Sequence, residues 1–329
     1  MKTEAGALYT PSTRSLNKEV GSYLALAFGL AWTIWIVAIK LHAREEYLSA
    51  GTAGPAVAAM ILSRRRIAYP TYRPLRRAAM FMLAMVGSWL ILCLQFSWRS
   101  GSDFTFHLNP WLLCVAAAPA WVISGVLSKD CGVRDLIKRL VHPPGRWALI
   151  ALLLLPVILV VPAWIAHLFH LPLVAPHRHG SAARAVAAAI VFLLYNFVFV
   201  AALEEPGWRG FLLDRLQQRW PPLMASLMVW LPWALWHAPL DYFRPGRFSL
   251  AMYLELRVVF LIPIAIILTW LYNRSGRSIL ATAMFHASMN TAPFVLPYFA
   301  PGMVLVFVFA AYAVFADRMW RRLHVSDGP

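Results

Sequence analysis

Long apolar stretches separated by short polar segments run through almost the whole of this 329-residue chain. A helix that crosses a bilayer needs roughly 20 mostly apolar residues. Ten stretches reach or approach that length, at residues 22–40, 50–63, 78–96, 109–127, 147–169, 184–204, 222–240, 251–272, 278–296 and 301–317. Because the second stretch is short, the pattern predicts an all-α bundle of about eight to ten transmembrane helices.

Composition excludes an ordinary soluble domain, since 60% of the residues are hydrophobic and only 13% are charged. The formal net charge of +16 raises the alternative of nucleic-acid binding. The basic residues, however, lie in short clusters between the apolar stretches and do not build one basic face. The lipid bilayer is therefore the predicted partner, and no nucleic-acid partner is expected.

The positions of the basic clusters also predict an orientation. Clusters such as Arg64, Arg65 and Arg66, or Arg321 and Arg322, recur in every second loop between the apolar stretches. Because cytoplasmic loops carry an excess of Lys and Arg, this alternation predicts that both termini are cytoplasmic.

Ionisable side chains inside the apolar stretches need an explanation, because each costs at least ~2.5–3.5 kcal/mol at the bilayer centre. Glu205 and Arg209 are four residues apart, so on a helix they share a face and can neutralise each other. Glu204 points elsewhere and is left as a free carboxylate for the interior. Pro206 removes one backbone donor, which predicts an irregular helix beside this acidic pair.

Two further stretches bring polar groups to the same depth. A turn is predicted at Trp220 and Pro221. Glu204 lies as many residues before this turn as His237 lies after it. Both side chains are therefore expected about 24 Å from the turn along their helices. His286 and Asn290 share one face of another helix. A satisfied core histidine, or a contact between two helices, is the plainer interpretation of any one of these groups. Together they favour one polar intramembrane cavity, and HExxH, GxSxG and P-loop motifs are absent from the sequence.

These residues resemble the motifs of the CPBP family, which contains CAAX prenyl endopeptidases and bacteriocin-processing proteins. The segment EEPGWRG has the family's EExxxR pattern, in the form of a common bacterial subgroup. The segment from Trp233 to His237 resembles the family's FxxxH motif, with Trp in place of Phe. His286 with Asn290 resembles the third motif. The order and spacing of the motifs fit across roughly residues 130–317.

The resemblance implies an intramembrane endopeptidase that acts on a peptide or protein substrate at the membrane. Glu204 is then the general base and His237 its partner, His286 and Asn290 stabilise the oxyanion, and Glu205 with Arg209 supports them. The implied organisation is a cytoplasmic segment 1–21, accessory helices 22–128, a protease core 129–317 and a basic tail 318–329. The implied location is a bacterial inner membrane.

Metal dependence and substrate stay open at this stage. Glu204, His237 and His286 could supply the ligand set of a catalytic zinc ion, so a divalent metal is a possible cofactor. Their positions on three helices favour a water activated by glutamate without an obligatory metal. A non-catalytic scaffold or bacteriocin-immunity protein of the same fold is the main alternative function, and a transporter a weaker one. The sequence defines neither the substrate, prenylated or not, nor the oligomeric state.

Overall fold

Helices form almost all of the fold in the computed structural model, which describes residues 13–43, 48–67, 73–100, 104–175, 182–241 and 249–322. Within these ranges the only extended pairing is an isolated antiparallel bridge between Val174 and Tyr298. The all-α class predicted from the apolar stretches is confirmed.

The α-helices of the described residues are numbered here in chain order. They are α1 (Thr13–Lys40), α2 (Gly54–Leu62), α3 (Pro74–Ser100), α4 (Pro110–Ser124), α5 (Cys131–Val141), α6 (Trp147–Leu168), α7 (Ala182–Tyr195), α8 (Ala202–Gly207), α9 (Asp214–Leu216), α10 (Pro222–Trp236), α11 (Ala238–Asp241), α12 (Leu250–Tyr253), α13 (Leu261–Arg274), α14 (Ile279–Val295) and α15 (Val304–Ala316). Three π-helical segments lie between them, at Asn196–Ala201, Trp208–Leu213 and Leu254–Val259. Short 3₁₀ turns occupy Ser49–Ala53 and Ala300–Met303.

Five helical segments of the described chain are long and apolar enough to cross a membrane. They are Leu16–Lys40, Pro74–Trp98, Trp147–Leu168, Ala183–Leu216 and Leu250–Arg274. Four shorter apolar segments accompany them, at Ser49–Leu62, Pro110–Ser124, Pro222–Trp236 and Ala300–Ala316. The chain is therefore an integral membrane protein, and each of the ten apolar stretches coincides with one of these segments or with α14.

The first helix begins earlier than its apolar stretch. Helix α1 starts at Thr13, whereas the apolar stretch starts at residue 22. The intervening Lys18 and Glu19 are good helix formers that do not belong in the hydrocarbon region. The apolar stretch thus marks bilayer depth, while the helix extends beyond it into the segment that was assigned to the polar N-terminus.

Small residues let α1 and α2 approach closely. Ala27 and Ala31 on α1 are fully buried, and a Cβ built on Gly54 would lie 2.8 Å from the Ala27 carbonyl oxygen. Such contacts replace the hydrophobic effect as the source of helix association in lipid. The same stripe of α1 continues to Tyr23 on one side and Trp35 on the other, both fully buried.

Helix α14 crosses the middle of the bundle between α6 and α7. Its Ala283 and Ala287 are buried, which lets neighbouring backbones come near. The Ser288 hydroxyl donates to the Leu152 carbonyl on α6 over 2.7 Å. Ser278 caps the helix by accepting a hydrogen bond from the Ala281 amide. These contacts fix the helix that carries His286.

Polar contacts connect the loops that carry the basic clusters. Asp130 caps α5 and accepts hydrogen bonds from the backbone amides of Arg65, Arg66 and Gly132. Burial opposes the charge of this carboxylate, but the backbone hydrogen bonds outweigh it and hold the pKa of Asp130 below its usual value. Asp214 similarly accepts hydrogen bonds from Arg139 and Arg277. One polar face of the bundle is assembled in this way.

Candidate active site

The acidic pair lies on a short α-helical turn between two π-helical segments. Glu204 and Glu205 belong to α8, with Asn196–Ala201 before it and Trp208–Leu213 after it. Pro206 cannot donate to the carbonyl of the preceding turn, so the regular hydrogen-bond ladder is broken there. The irregular helix predicted beside the pair is confirmed, and π-helical turns are frequent at functional sites.

Glu205 joins two of the predicted helices. Its Oε1 atom accepts a hydrogen bond from Arg209 Nη1 over 3.0 Å and one from His286 Nδ1 over 2.7 Å. All three side chains are buried. The predicted pair of Glu205 with Arg209 is therefore confirmed. The pairing of His286 with Glu205 was not predicted.

Glu204 has a different neighbour. Its Oε2 atom accepts a hydrogen bond from Trp233 Nε1 over 2.9 Å, and its side chain is buried. The same Trp233 packs edge-on against the His286 ring, with 5.5 Å between centroids, and its face lies 4.4 Å from the Arg209 guanidinium carbon. Trp233 therefore contacts Glu204 directly, and it contacts the two partners of Glu205, His286 and Arg209.

His237 is held at the end of α10 by the same tryptophan. His237 Nδ1 lies 2.7 Å from the Trp233 carbonyl oxygen. A carbonyl only accepts, so Nδ1 is the donor in this contact. The same argument applies to His286, whose Nδ1 faces the Glu205 carboxylate. In both rings a backbone or carboxylate acceptor thus engages Nδ1 and holds the ring in place.

The first helix supports the end of α10. Trp32 Nε1 donates to the Trp236 carbonyl over 2.9 Å, and the Trp35 and Trp236 rings lie 4.4 Å apart. Trp236 in turn packs edge-on against the His237 ring at 5.0 Å. Residues of α1 therefore help to set the position of His237.

Arg257 has a role that the sequence did not reveal. Its Nε atom donates to Asp241 Oδ2 over 2.5 Å, which ties the π-helical segment Leu254–Val259 to the turn that follows His237. Arg257 also interacts electrostatically with both Glu204 and His237. The signal that could have found the pair was Asp241, an acidic side chain four residues after His237.

Asn290 lies one helical turn beyond His286 on α14 and is half-buried. Its placement on the same face as His286 follows from the regular helix between them. The structure thus joins Glu205, Arg209 and His286 by direct contacts. It connects Glu204 and His237 through Trp233. Asn290 is positioned by its helix alone.

Glu204, His237 and His286 are the candidate ligands of a metal ion. Among the described residues, no group of three or more His, Cys, Asp and Glu side chains converges as metal ligands do. Glu204, His237 and His286 are therefore not gathered into a preformed three-ligand site. Zinc ligation by these residues stays a hypothesis.

Comparison with known proteins matches the segment that carries the site to a family model. Residues 186–292 match the family model described as "Type II CAAX prenyl endopeptidase Rce1-like". A curated relative, "CAAX prenyl protease 2" of Methanococcus maripaludis, is 31% identical over 103 residues, which is 30% of this chain and 38% of the relative. The alignment thus spans less than half of that relative's length. All six candidate side chains from Glu204 to Asn290 lie within the matched segment, so the comparisons support the resemblance to the CPBP family that was drawn from the motifs.

Proposed function

We propose that this protein is an intramembrane endopeptidase in which Glu204 activates a water molecule to hydrolyse a peptide bond. The observation that carries the proposal is that two adjacent buried carboxylates have different hydrogen-bond partners. Glu205 is engaged by Arg209 and His286, whereas Glu204 accepts one hydrogen bond from the neutral Trp233 indole. A buried carboxylate without a direct cationic partner is suited to take a proton from water.

The remaining residues supply the other elements of the reaction. Glu204 takes one proton from water while the water oxygen bonds to the peptide carbonyl carbon, and His237 Nε2 helps to hold that water. The Asn290 amide stabilises the developing oxyanion, together with the His286 ring that the Glu205 carboxylate orients. Glu204 then passes its proton to the leaving nitrogen as the carbon–nitrogen bond breaks. Proton and charge therefore balance within the site.

The substrate proposed is a membrane-associated peptide, either lipid-modified or not. The relative's name refers to prenylated substrates. The structure has an apolar groove of about 510 Å³ between α1 and α10, lined by residues such as Phe28, Met228 and Leu235. These α10 residues lie on a different face of the helix from Trp233 and His237. The groove therefore gives no reason to restrict the enzyme to prenylated peptides.

The decisive experiment compares Glu204→Gln with wild-type protein in proteoliposomes. The probes are a farnesylated peptide with a C-terminal CAAX sequence, the same peptide without the lipid, and a pooled library of membrane-anchored peptides. Wild type is expected to release a cleaved product from at least one probe, and Glu204→Gln to release none while retaining its thermal stability. Glu255→Gln is the matched control, because this exposed glutamate undergoes the same change outside the site. Turnover by Glu204→Gln, or a folded wild type that cleaves no probe, contradicts the proposal.

We further propose that the reaction does not require a tightly bound metal. In support, His286 Nδ1 and His237 Nδ1 are both engaged by protein acceptors, and the carboxylate nearest to His286 is the Arg209-paired Glu205. Elemental analysis of active, detergent-purified protein tests this. Stoichiometric zinc that is lost together with activity in both His237→Ala and His286→Ala refutes the metal-free mechanism.

A further inference from the structure

Tyr23 places a phenol from the first helix directly beside the acidic motif. It is fully buried, and its ring packs against Trp208 at 5.7 Å and Phe211 at 5.2 Å. A Cβ built on Gly207 would lie 2.5 Å from Tyr23 Oη, so the hydroxyl lies against the backbone two residues after Glu205. Tyr23 lies outside the segment matched by the family model.

Several polar atoms of Tyr23 and of the acidic motif have no hydrogen-bond partner among the described residues. They are Tyr23 Oη, Trp208 Nε1, Glu205 Oε2, and both Nε and Nη2 of Arg209. The nearby Thr282 hydroxyl donates to the Ile279 carbonyl and also interacts with the Glu205 carboxylate. Buried polar groups are almost always hydrogen-bonded, either to protein or to ordered water. The chemistry of the set is complementary, because Arg209 and Trp208 can only donate, Glu205 Oε2 can only accept, and a phenol can do both.

We infer that Tyr23 is a positioning residue, whose hydroxyl accepts from the Arg209 guanidinium and donates to Glu205 Oε2 through ordered water, thereby holding Glu205 against His286. Tyr23 interacts electrostatically with Arg209, Glu204 and Glu205, which agrees with this connection. Its effect on catalysis is indirect, since it acts on the carboxylate that orients His286. In this respect the inference rests on the proposed function.

The consequence is that α1 belongs to the active site. The same helix supports His237 through Trp32 and Trp35, as described above. The segment 22–128, predicted as accessory, therefore contributes residues to both ends of the catalytic cluster.

Tyr23→Phe tests the inference because it removes only the hydroxyl and keeps the ring contacts with Trp208 and Phe211. We expect kcat for the cleaved probe to fall about tenfold with KM nearly unchanged, since the change affects the arrangement of the transition-state donors. A merely unpartnered hydroxyl predicts the opposite, namely unchanged kcat and equal or higher stability. Tyr272→Phe is the matched control, because this buried hydroxyl donates to Asp214 in a separate polar cluster. It should lower stability without changing kcat.

A second measurement does not depend on activity. Tyr23→Phe and Glu205→Gln are combined in a double-mutant cycle that measures the free energy of unfolding in detergent. Arg209→Lys replaces Glu205→Gln if the latter variant does not yield folded protein. Non-additive effects are expected, because the two groups share one hydrogen-bond network. Additive effects, or an unchanged kcat in Tyr23→Phe beside an active wild type, overturn the inference. A wild type that cleaves no probe contradicts the proposed function alone, and the cycle still decides whether Tyr23 is coupled to Glu205.

Discussion

Glu204 and Glu205 are neighbours in the chain but face different partners in the fold. Glu205 is bound to Arg209 and His286, and Glu204 to the Trp233 indole. Environment, more than residue type, assigns different roles to paired carboxylates in hydrolases. The consequence is that the same chemical change at these two positions should have different effects on the protein.

Glu205→Gln should lower both the yield and the thermal stability of the protein, together with its activity. The substitution leaves Arg209 buried with a neutral partner, and breaking a buried ion pair costs about 3–5 kcal/mol. Thermal unfolding of the detergent-purified variant measures the effect. Glu19→Gln is the control, because Glu19 pairs with Arg215 over 3.3 Å at a partly exposed position, where little loss is expected. Wild-type stability in Glu205→Gln would show that the buried pair does not support the fold.

Asn290→Ala should lower kcat with little change in KM. An amide that acts only on the developing oxyanion stabilises the transition state and leaves substrate binding unaffected. The loss of one such donor costs about 10²–10³ in kcat. Steady-state kinetics on the cleaved probe measures it, and Asn273→Ala serves as the control because its amide pairs with Gln217 away from the site. A raised KM with unchanged kcat would make Asn290 a substrate-binding residue.

The sequence predicted contacts within one helix better than contacts between helices. Glu205 and Arg209 are four residues apart, so helical geometry alone brings them together, and the structure confirms it. His286 is 81 residues from Glu205, and Trp233 is 29 residues from Glu204. The periodicity of a helix contains no information about which face of another helix it will meet. The depth argument placed His237 near Glu204, but it could not identify the tryptophan that connects them.

At the scale of helices, most bounds followed closely from the apolar stretches and turn residues, although α1 begins well before its apolar stretch. Helix α10 begins at Pro222, directly after the turn predicted at Trp220 and Pro221. The π-helical segments were less predictable. Pro206 indicated an irregular turn, but no comparable residue lies within Leu254–Val259, the segment that carries Arg257. Such a segment depends on tertiary contacts, here including the pair of Arg257 with Asp241.

Gly207→Ala should destabilise the protein by about 1–3 kcal/mol, as overpacked cores do. A Cβ at this position would lie 2.5 Å from the Pro55 carbonyl oxygen on α2 and 2.5 Å from Tyr23 Oη. The backbone oxygen cannot move without shifting α2, so α8 would be displaced from its neighbours. Thermal unfolding of the purified variant measures the loss.

Gly29→Ala is the matched control for this substitution. Gly29 also lies within a helix, but a Cβ there meets nothing within 4 Å. Alanine is the better helix former, so this variant should be as stable as wild type or slightly more stable. Equal stabilities of the two variants would show that the close approach of α2 to α8 does not constrain Gly207.

At the scale of the whole molecule, the loops that share the basic clusters also share one face. The Arg65 side chain pairs with Asp135 over 3.1 Å, and Arg139 and Arg277 both reach Asp214. Arg274 pairs with Asp317 near the end of the last apolar stretch. The bridge between Val174 and Tyr298 connects two segments predicted to lie on the other side. The positions of the basic residues along the chain therefore predicted which loops share a face. They did not predict the ion pairs that hold those loops together.

Which side of the membrane this face occupies is a prediction of the positive-inside rule, and cysteine labelling tests it. In a background without Cys93, Cys114 and Cys131, single cysteines at Arg65 and Arg321 should react with a membrane-impermeant maleimide only after the cytoplasmic side is opened. Single cysteines at Leu108 and His170 should react in intact cells. All four positions are exposed in the structure, so a failure to react reports the membrane barrier and not burial. Reversed accessibility of the two pairs would place the Asp214 face outside. Mixed accessibility within either pair would contradict the ten-span arrangement, because the segments joined by the ion pairs could not then all lie on one side.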